Sequence, residues 1–169
     1  GWEILSIWLP DGLPPATGWP VYIFTGYDSW RNEALISPTW TTIVGVIQQW
    51  LVTNGVAVVN VGLTGSNTPG WPDWETSGCG AFAPPSDTVS DKWTRDDVRF
   101  GAKDMMWAIQ YLRLNSDTYN LNPNLMVGQG NSAGAQTMMW VGTQELADPA
   151  ASDPQLKEST ILQGLNISN

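Results

Sequence analysis

The sequence predicts an α/β fold, a mostly parallel central sheet with helices on both of its faces. Three observations carry this. Short apolar, β-rich runs bounded by turn residues alternate with longer stretches of helical periodicity, in the order β-β-α-β-α-β-α-β. The short runs are apolar at successive positions rather than at every second one, as strands covered on both sides require. The chain has 169 residues, 42% apolar and only 14% charged, enough for one domain with a substantial core and far too apolar for a disordered segment.

Taken in order, Ile4 to Trp8 reads as a strand stopped by Pro10-Asp11-Gly12, and Pro14-Pro15 to Gly18 as a turn. Val21-Tyr22-Ile23-Phe24 is a short buried strand, and Asp28 to Pro38 is loop-like. From Thr39 a helix is expected, with Trp40, Ile43, Ile47, Trp50 and Leu51 on its inward face and Asn54-Gly55 as its stop. Val56 to Val61 is the next buried strand. Residues 62–93, rich in Gly, Pro, Ser, Thr and Trp, show no periodicity, and ordered loops of that length are often functional. Thr94-Arg95-Asp96-Asp97 fits a capping box with Asp in place of Glu. Behind it Val98, Ala102, Met105, Ile109 and Leu112 recur at alternating helical spacings, the strongest amphipathic signal in the chain. Asn120 to Asn124 is a turn, Leu125 to Gly128 a buried strand, and Gly130 to Gly134 leads into a helix running to about Leu146. After a loop at Asp148 to Pro154, Ile161 to Ile167 is expected to be the last strand.

Composition excludes several functions. Seven Lys and Arg against 16 Asp and Glu leave a formal charge of −9, which repels a phosphate backbone or an anionic membrane, so no nucleic-acid partner is expected. No apolar run approaches the length of a membrane-spanning helix. Gly1-Trp2-Glu3-Ile4 lacks the basic and apolar regions of a signal peptide. The one cysteine, Cys79, cannot close a disulfide within the chain, and histidine is absent, which removes the commonest general base and metal ligand. Few lysines and 11 tryptophans hint at an extracellular protein.

The segment that carries chemistry is Leu125-Met126-Val127-Gly128-Gln129-Gly130-Asn131-Ser132-Ala133-Gly134-Ala135. It holds G-x-S-x-G at Gly130, Ser132 and Gly134, after an expected strand and at the opening of an expected helix. A sharp strand-to-helix turn exposes the serine hydroxyl, and glycines on either side avoid clashes where backbones pack closely. The helix N-terminus offers free N–H groups and partial positive charge where an oxyanion would form. The plain alternative is a glycine-rich turn with an N-cap serine.

This segment resembles the α/β-hydrolase superfamily, in its carboxylesterase/lipase branch with the feruloyl-esterase-like and hormone-sensitive-lipase-like enzymes. The resemblance runs from about Ile4 to the C-terminus. Most of it lies in Asp104, Ala108 and Tyr111-Leu112-Arg113, then Tyr119-Asn120-Leu121-Asn122-Pro123, then Gly130-Asn131-Ser132-Ala133-Gly134; Asn122 stands where the family usually has Asp. Ser152-Asp153-Pro154 and Glu158-Ser159-Thr160 also look like the stretch that follows the elbow helix. The resemblance implies a serine carboxylic-ester hydrolase working through an acyl-enzyme on Ser132, with a small ester as substrate and no cofactor or metal. It implies an oxyanion hole from the backbone of Ala133 and of Gly26 or Tyr27. Phe24-Thr25-Gly26-Tyr27 departs from the family's H-G-G loop there, with Thr25 in place of His and Tyr27 in place of the second Gly.

In the family the acid and the histidine follow the serine in the chain, and no histidine follows Ser132 here. Three arrangements stand, in this order. Residues 1–169 are one domain's N-terminal part, with the remainder on a longer polypeptide or a companion chain; or the fold is a non-catalytic binding, adhesion or assembly module; or a lysine is the base. Neither Lys103 nor Lys157 has S-x-x-K spacing to Ser132. On the first arrangement, residues 1–169 alone would leave a parallel strand's edge bare and be insoluble or molten.

Trp71 and Trp74, with Trp93, lie in the long loop and are candidates for a substrate wall, whereas Trp40, Trp50, Trp107 and Trp140 are expected in helix–sheet packing. Cys79 is either a small hydrophobe or the partner of a cysteine elsewhere. Asp73, Glu75, Asp87, Asp91, Asp96 and Asp97 lack a calcium-loop pattern and read as solvated charge. Asn166-Ile167-Ser168 is a glycosylation sequon placed in an expected strand, hence fortuitous.

Overall fold

A computed structural model describes residues 5–25, 43–63, 95–131 and 133–168. Five strands form one sheet: β1 (Leu5–Trp8), β2 (Trp19–Thr25), β3 (Ala57–Val61), β4 (Leu121–Asn131) and β5 (Gly164–Ser168). Their spatial order is β1-β3-β2-β4-β5. β1 runs antiparallel to β3, and every other pair is parallel. The helices are α1 (Ile43–Thr53), α2 (Arg95–Leu114), the single turn α3 (Ser116–Tyr119) and α4 (Ala133–Gly142), followed by a 3₁₀ turn at Pro154–Lys157.

Register sorts the side chains onto two faces. Val21, Ile23 and Thr25 lie level with Ala57, Val59 and Val61 on one side and with Met126, Gly128 and Gly130 on the other. Directly opposite residues share a face, and this one carries the core: Ile23, Val59 and Met126 pack with Met105, Ile109 and Leu112 of α2 and with Met138 and Val141 of α4. The inward face expected for α2 is confirmed at Ala102, Met105, Ile109 and Leu112, all buried. The opposite face holds Tyr22, Val58 and Asn60 and is contacted by α1.

The stop expected at Asn54-Gly55 is also found. Gly55 takes φ +83°, a conformation that side chains resist. Val56 N–H donates to the Leu51 carbonyl (3.0 Å) and Gly55 N–H to that of Val52 (3.2 Å), the paired bonds of a Schellman ending.

Other expectations are corrected. On α1, Val46, Ile47 and Trp50 are exposed, Trp50 at 62%, while Gln48 is buried at 1%. The cause is Asn60 on β3: its buried amide needs a partner, and Gln48 Nε2 donates to Asn60 Oδ1 at 2.7 Å. Trp107 and Trp140 likewise stand at the surface, at 37% and 50% exposure. Trp40 and the capping threonine, Thr94, lie outside the described residues.

β4 begins at Leu121, and the turn expected at Asn120 to Asn124 is folded into it as an irregularity. Asn120 adopts φ 53°, pairing jumps from Trp19–Leu121 to Val21–Met126, and the Asn122 side chain accepts from Asn124 N–H at 3.0 Å. α4 stops at Gly142 rather than near Leu146, because the chain turns back and Leu162 N–H takes the Gly142 carbonyl at 2.9 Å. β5 starts at Gly164 rather than Ile161. Ile161 and Gln163 serve as anchors instead: Gln163 exchanges hydrogen bonds with the backbone of Met126, its Oε1 accepting at 2.8 Å and its N–H donating at 3.0 Å. The Arg113 guanidinium donates to the carbonyls of Pro123 and Ile161, tying the start of β4 to the approach to β5. Burial lowers its pKa, against the pull of the Glu158 and Glu145 carboxylates. The sequon asparagine, Asn166, lies within β5, as the sequence placed it.

Among the described residues no helix is long and apolar enough to cross a membrane, and no group of His, Cys, Asp and Glu is placed to hold a metal ion.

Candidate active site

The last residues of β4 and the first of α4 frame the candidate nucleophile. β4 runs to Asn131 and α4 starts at Ala133, the residues that flank Ser132 in the chain. Ser132 lies outside the described residues, as do Gly26, Tyr27, Trp71 and Trp74. Gly130, Ala133 and Gly134 are described.

Gly130 shows why the motif needs glycine at its first position. A methyl group on it would run into the Gly134 carbonyl and come within 2.6 Å of the Ala135 α-carbon. The obstacle is backbone, which cannot rotate away. Absence of a side chain at Gly130 therefore lets the first turn of α4 rest directly on the end of β4. Ala133, the first residue of that helix, has a backbone N–H with no acceptor inside the helix. It sits at the end of the helix that carries partial positive charge.

Neighbouring strands hold this junction. Thr25, the residue before Gly26, pairs with Gly130 on one side and with Val61 on the other. Its side chain is fully buried, and the hydroxyl donates to the Val61 carbonyl at 3.2 Å. On the opposite face Tyr22 donates its phenol to Gln129 Oε1 at 3.2 Å. Burial pushes the Tyr22 pKa up to about 12, so it stays a neutral donor. Sequence reasoning missed Gln48, Asn60 and the Tyr22–Gln129 bond. Asn60 inside an otherwise apolar strand was the available signal, since a buried amide demands a partner.

Lys103 Nζ sits 4.6 Å from the centre of the Trp107 ring, and Lys157 lies in the 3₁₀ turn. A cleft of about 340 Å³ is lined by Leu5, Trp107, Ala108, Tyr111 and Gln155. None of these five residues belongs to the strand–helix junction.

No family model matches the chain, and no curated protein matches it in sequence. Solved structures do match. One is the thermophilic esterase Est2 of the Planctomycetes species Thermogutta terrifontis with propionate bound, at 15% identity and TM-score 0.63, covering 96% of this chain and 48% of that one. Another is an acetyl ester-xyloside bifunctional hydrolase of Caldicellulosiruptor lactoaceticus, at 16% identity and TM-score 0.64, covering 96% and 47%. The Thermogutta esterase phosphorylated by paraoxon matches at 15% identity and TM-score 0.63, covering 96% and 50%. The chain spans about half the length of these structures. At such identities the likeness is one of fold, and with the sheet described above it defines an α/β-hydrolase-like fold over part of the matched chains.

Proposed function

We propose that residues 1–169 form the nucleophile-bearing part of a serine carboxylic-ester hydrolase of the carboxylesterase/lipase branch, acting on a small ester outside the cell. Ser132 attacks the ester carbonyl and forms an acyl-enzyme. The backbone N–H of Ala133, with one from Gly26 or Tyr27, holds the oxyanion. A histidine and an acid from outside residues 1–169 move and orient the proton. Trp71 and Trp74 form part of the substrate wall. The observation that carries this reading is the contact of Gly130 with the backbone of Gly134 and Ala135, on either side of position 132. It is the tight strand–helix approach that a G-x-S-x-G elbow needs and that a loose glycine turn does not. The matched fold adds support, since it includes an esterase that paraoxon phosphorylates.

A fluorophosphonate probe applied to the full-length protein is expected to label Ser132, and Ser132→Ala to abolish both labelling and ester hydrolysis. Absence of labelling in the full-length protein would favour the second reading, a hydrolase-fold binding or assembly module. The specific support for that reading is Thr25-Gly26-Tyr27, which departs from the family's H-G-G loop.

A further inference from the structure

We propose that Gln110 and Arg113 of α2 bind a water molecule inside the protein, between the helix and residues 156–161. Gln110 is wholly out of solvent. Its Nε2 donates to the carbonyls of Glu158 (3.0 Å) and Leu156 (3.4 Å). Three residues further along the helix, the Arg113 guanidinium donates through Nη1 to the Pro123 carbonyl and through Nη2 to the Ile161 carbonyl. Each side chain has an atom left over. Gln110 Oε1 and Arg113 Nε are buried, and neither has a hydrogen-bond partner among the described residues. The two are complementary, since the amide oxygen accepts and the Nε–H donates.

Residues three apart in a helix stand on one face, with β-carbons about 5–6 Å apart. Both side chains also reach the same stretch of chain, so the leftover acceptor and donor share one locality. Neither is free to turn and meet the other. Rotating the amide withdraws Nε2 from two carbonyls, and shifting the guanidinium withdraws it from Pro123 and Ile161. A buried polar atom left unpaired costs more than a typical hydrogen bond contributes. The group that satisfies both must accept from Nε–H, donate to Oε1 and be small. An anion suits Arg113 but is repelled by the amide oxygen, and a cation suits the oxygen but is repelled by the guanidinium. Water does both, and buried waters in folded proteins answer unsatisfied groups of this kind. Held here, the water extends the tie from α2 to the segment that leads into β5.

A crystal structure of the full-length protein, at a resolution that shows ordered waters, tests this directly. One water is expected within about 2.7–3.2 Å of both Arg113 Nε and Gln110 Oε1. A direct bond between the two atoms overturns the proposal, as does a separate water on each, a protein group in that place, or no density there. In solution, oxygen-17 magnetic relaxation dispersion counts waters that stay inside longer than the molecule takes to tumble. Gln110→Met keeps an unbranched side chain and deletes the acceptor, so the count is expected to fall by one relative to wild type. An unchanged count overturns the proposal. Should Gln110→Met not fold, Arg113→Lys, which keeps the charge and loses the Nε donor, is read in the same way.

Discussion

At the scale of single residues, Gly130 and Glu145 carry separable consequences. Gly130→Ala puts a methyl group against the Gly134 carbonyl and the Ala135 α-carbon. Relief requires α4 to move off the strand, so a loss of about 1–3 kcal/mol is expected, the range for overpacking a well-filled site. Chemical denaturation measures it, and an undiminished midpoint would contradict the contact. Glu145 gathers the turn after α4: its carboxylate accepts from the Ser159 hydroxyl at 2.6 Å and from Ala147 N–H at 3.0 Å. These bonds, the Ser159 one first, hold its pKa below the ordinary glutamate value. A depressed folded-state pKa means the contribution is fully present above the unfolded value, about 4.3, and is lost as pH falls through the folded one. The stability gap between wild type and Glu145→Gln is therefore expected to be widest near neutrality and to shrink in acid. A gap independent of pH would show that the carboxylate charge plays no part. Both residues illustrate what a sequence conceals. The G-x-S-x-G spacing was legible, because glycine is demanded by a local backbone approach, whereas Glu145 depends on a partner 14 positions away that no local pattern announces.

At the scale of elements, α1 and α2 stand at opposite ends of legibility. On α2 the apolar spacing marked Ala102, Met105, Ile109 and Leu112, all buried, though it gave no sign of the buried Gln110. α1, Ile43-Val44-Gly45-Val46-Ile47-Gln48-Gln49-Trp50-Leu51-Val52-Thr53, is apolar nearly all round, so periodicity does not say which side faces the sheet. A polar pair decides it. Gln48→Leu orphans the buried Asn60 amide and is expected to cost about 1–3 kcal/mol. Replacing both, with Gln48→Leu and Asn60→Val, is expected to recover much of that loss. A double-mutant cycle at this pair measures the coupling, and additive single losses would mean that the amides do not depend on each other.

At the scale of the whole molecule, the number and order of the strands among the described residues were legible, but not their arrangement in space. Nothing local in Val21 to Phe24 or Val56 to Val61 states that β3 lies between β1 and β2; crossover helices and the antiparallel β1 impose it. The outward surface raises a question of association. Val46, Ile47 and Trp50 on α1 are exposed, as are Met139 and Trp140 on α4. Large apolar patches on soluble proteins mark contact surfaces or aggregation hazards. Expressed alone, residues 1–169 are expected to bind a hydrophobic dye strongly and to self-associate, by fluorescence and light scattering, with both signals falling in the full-length protein. A dye-silent monomer with a sharp melt would point instead to a self-sufficient module.

The seat of α4 on Gly130 has a mechanical meaning. Between most strands and helices lies a layer of side chains that yields when either moves, as springs do between plates. At Gly130 there is no such layer: the Gly134 carbonyl and the Ala135 α-carbon bear on the strand itself. Over this first turn, strand and helix meet backbone to backbone and must shift together, whereas further along α4 the Met138 side chain lies between helix and strand, over Gly128.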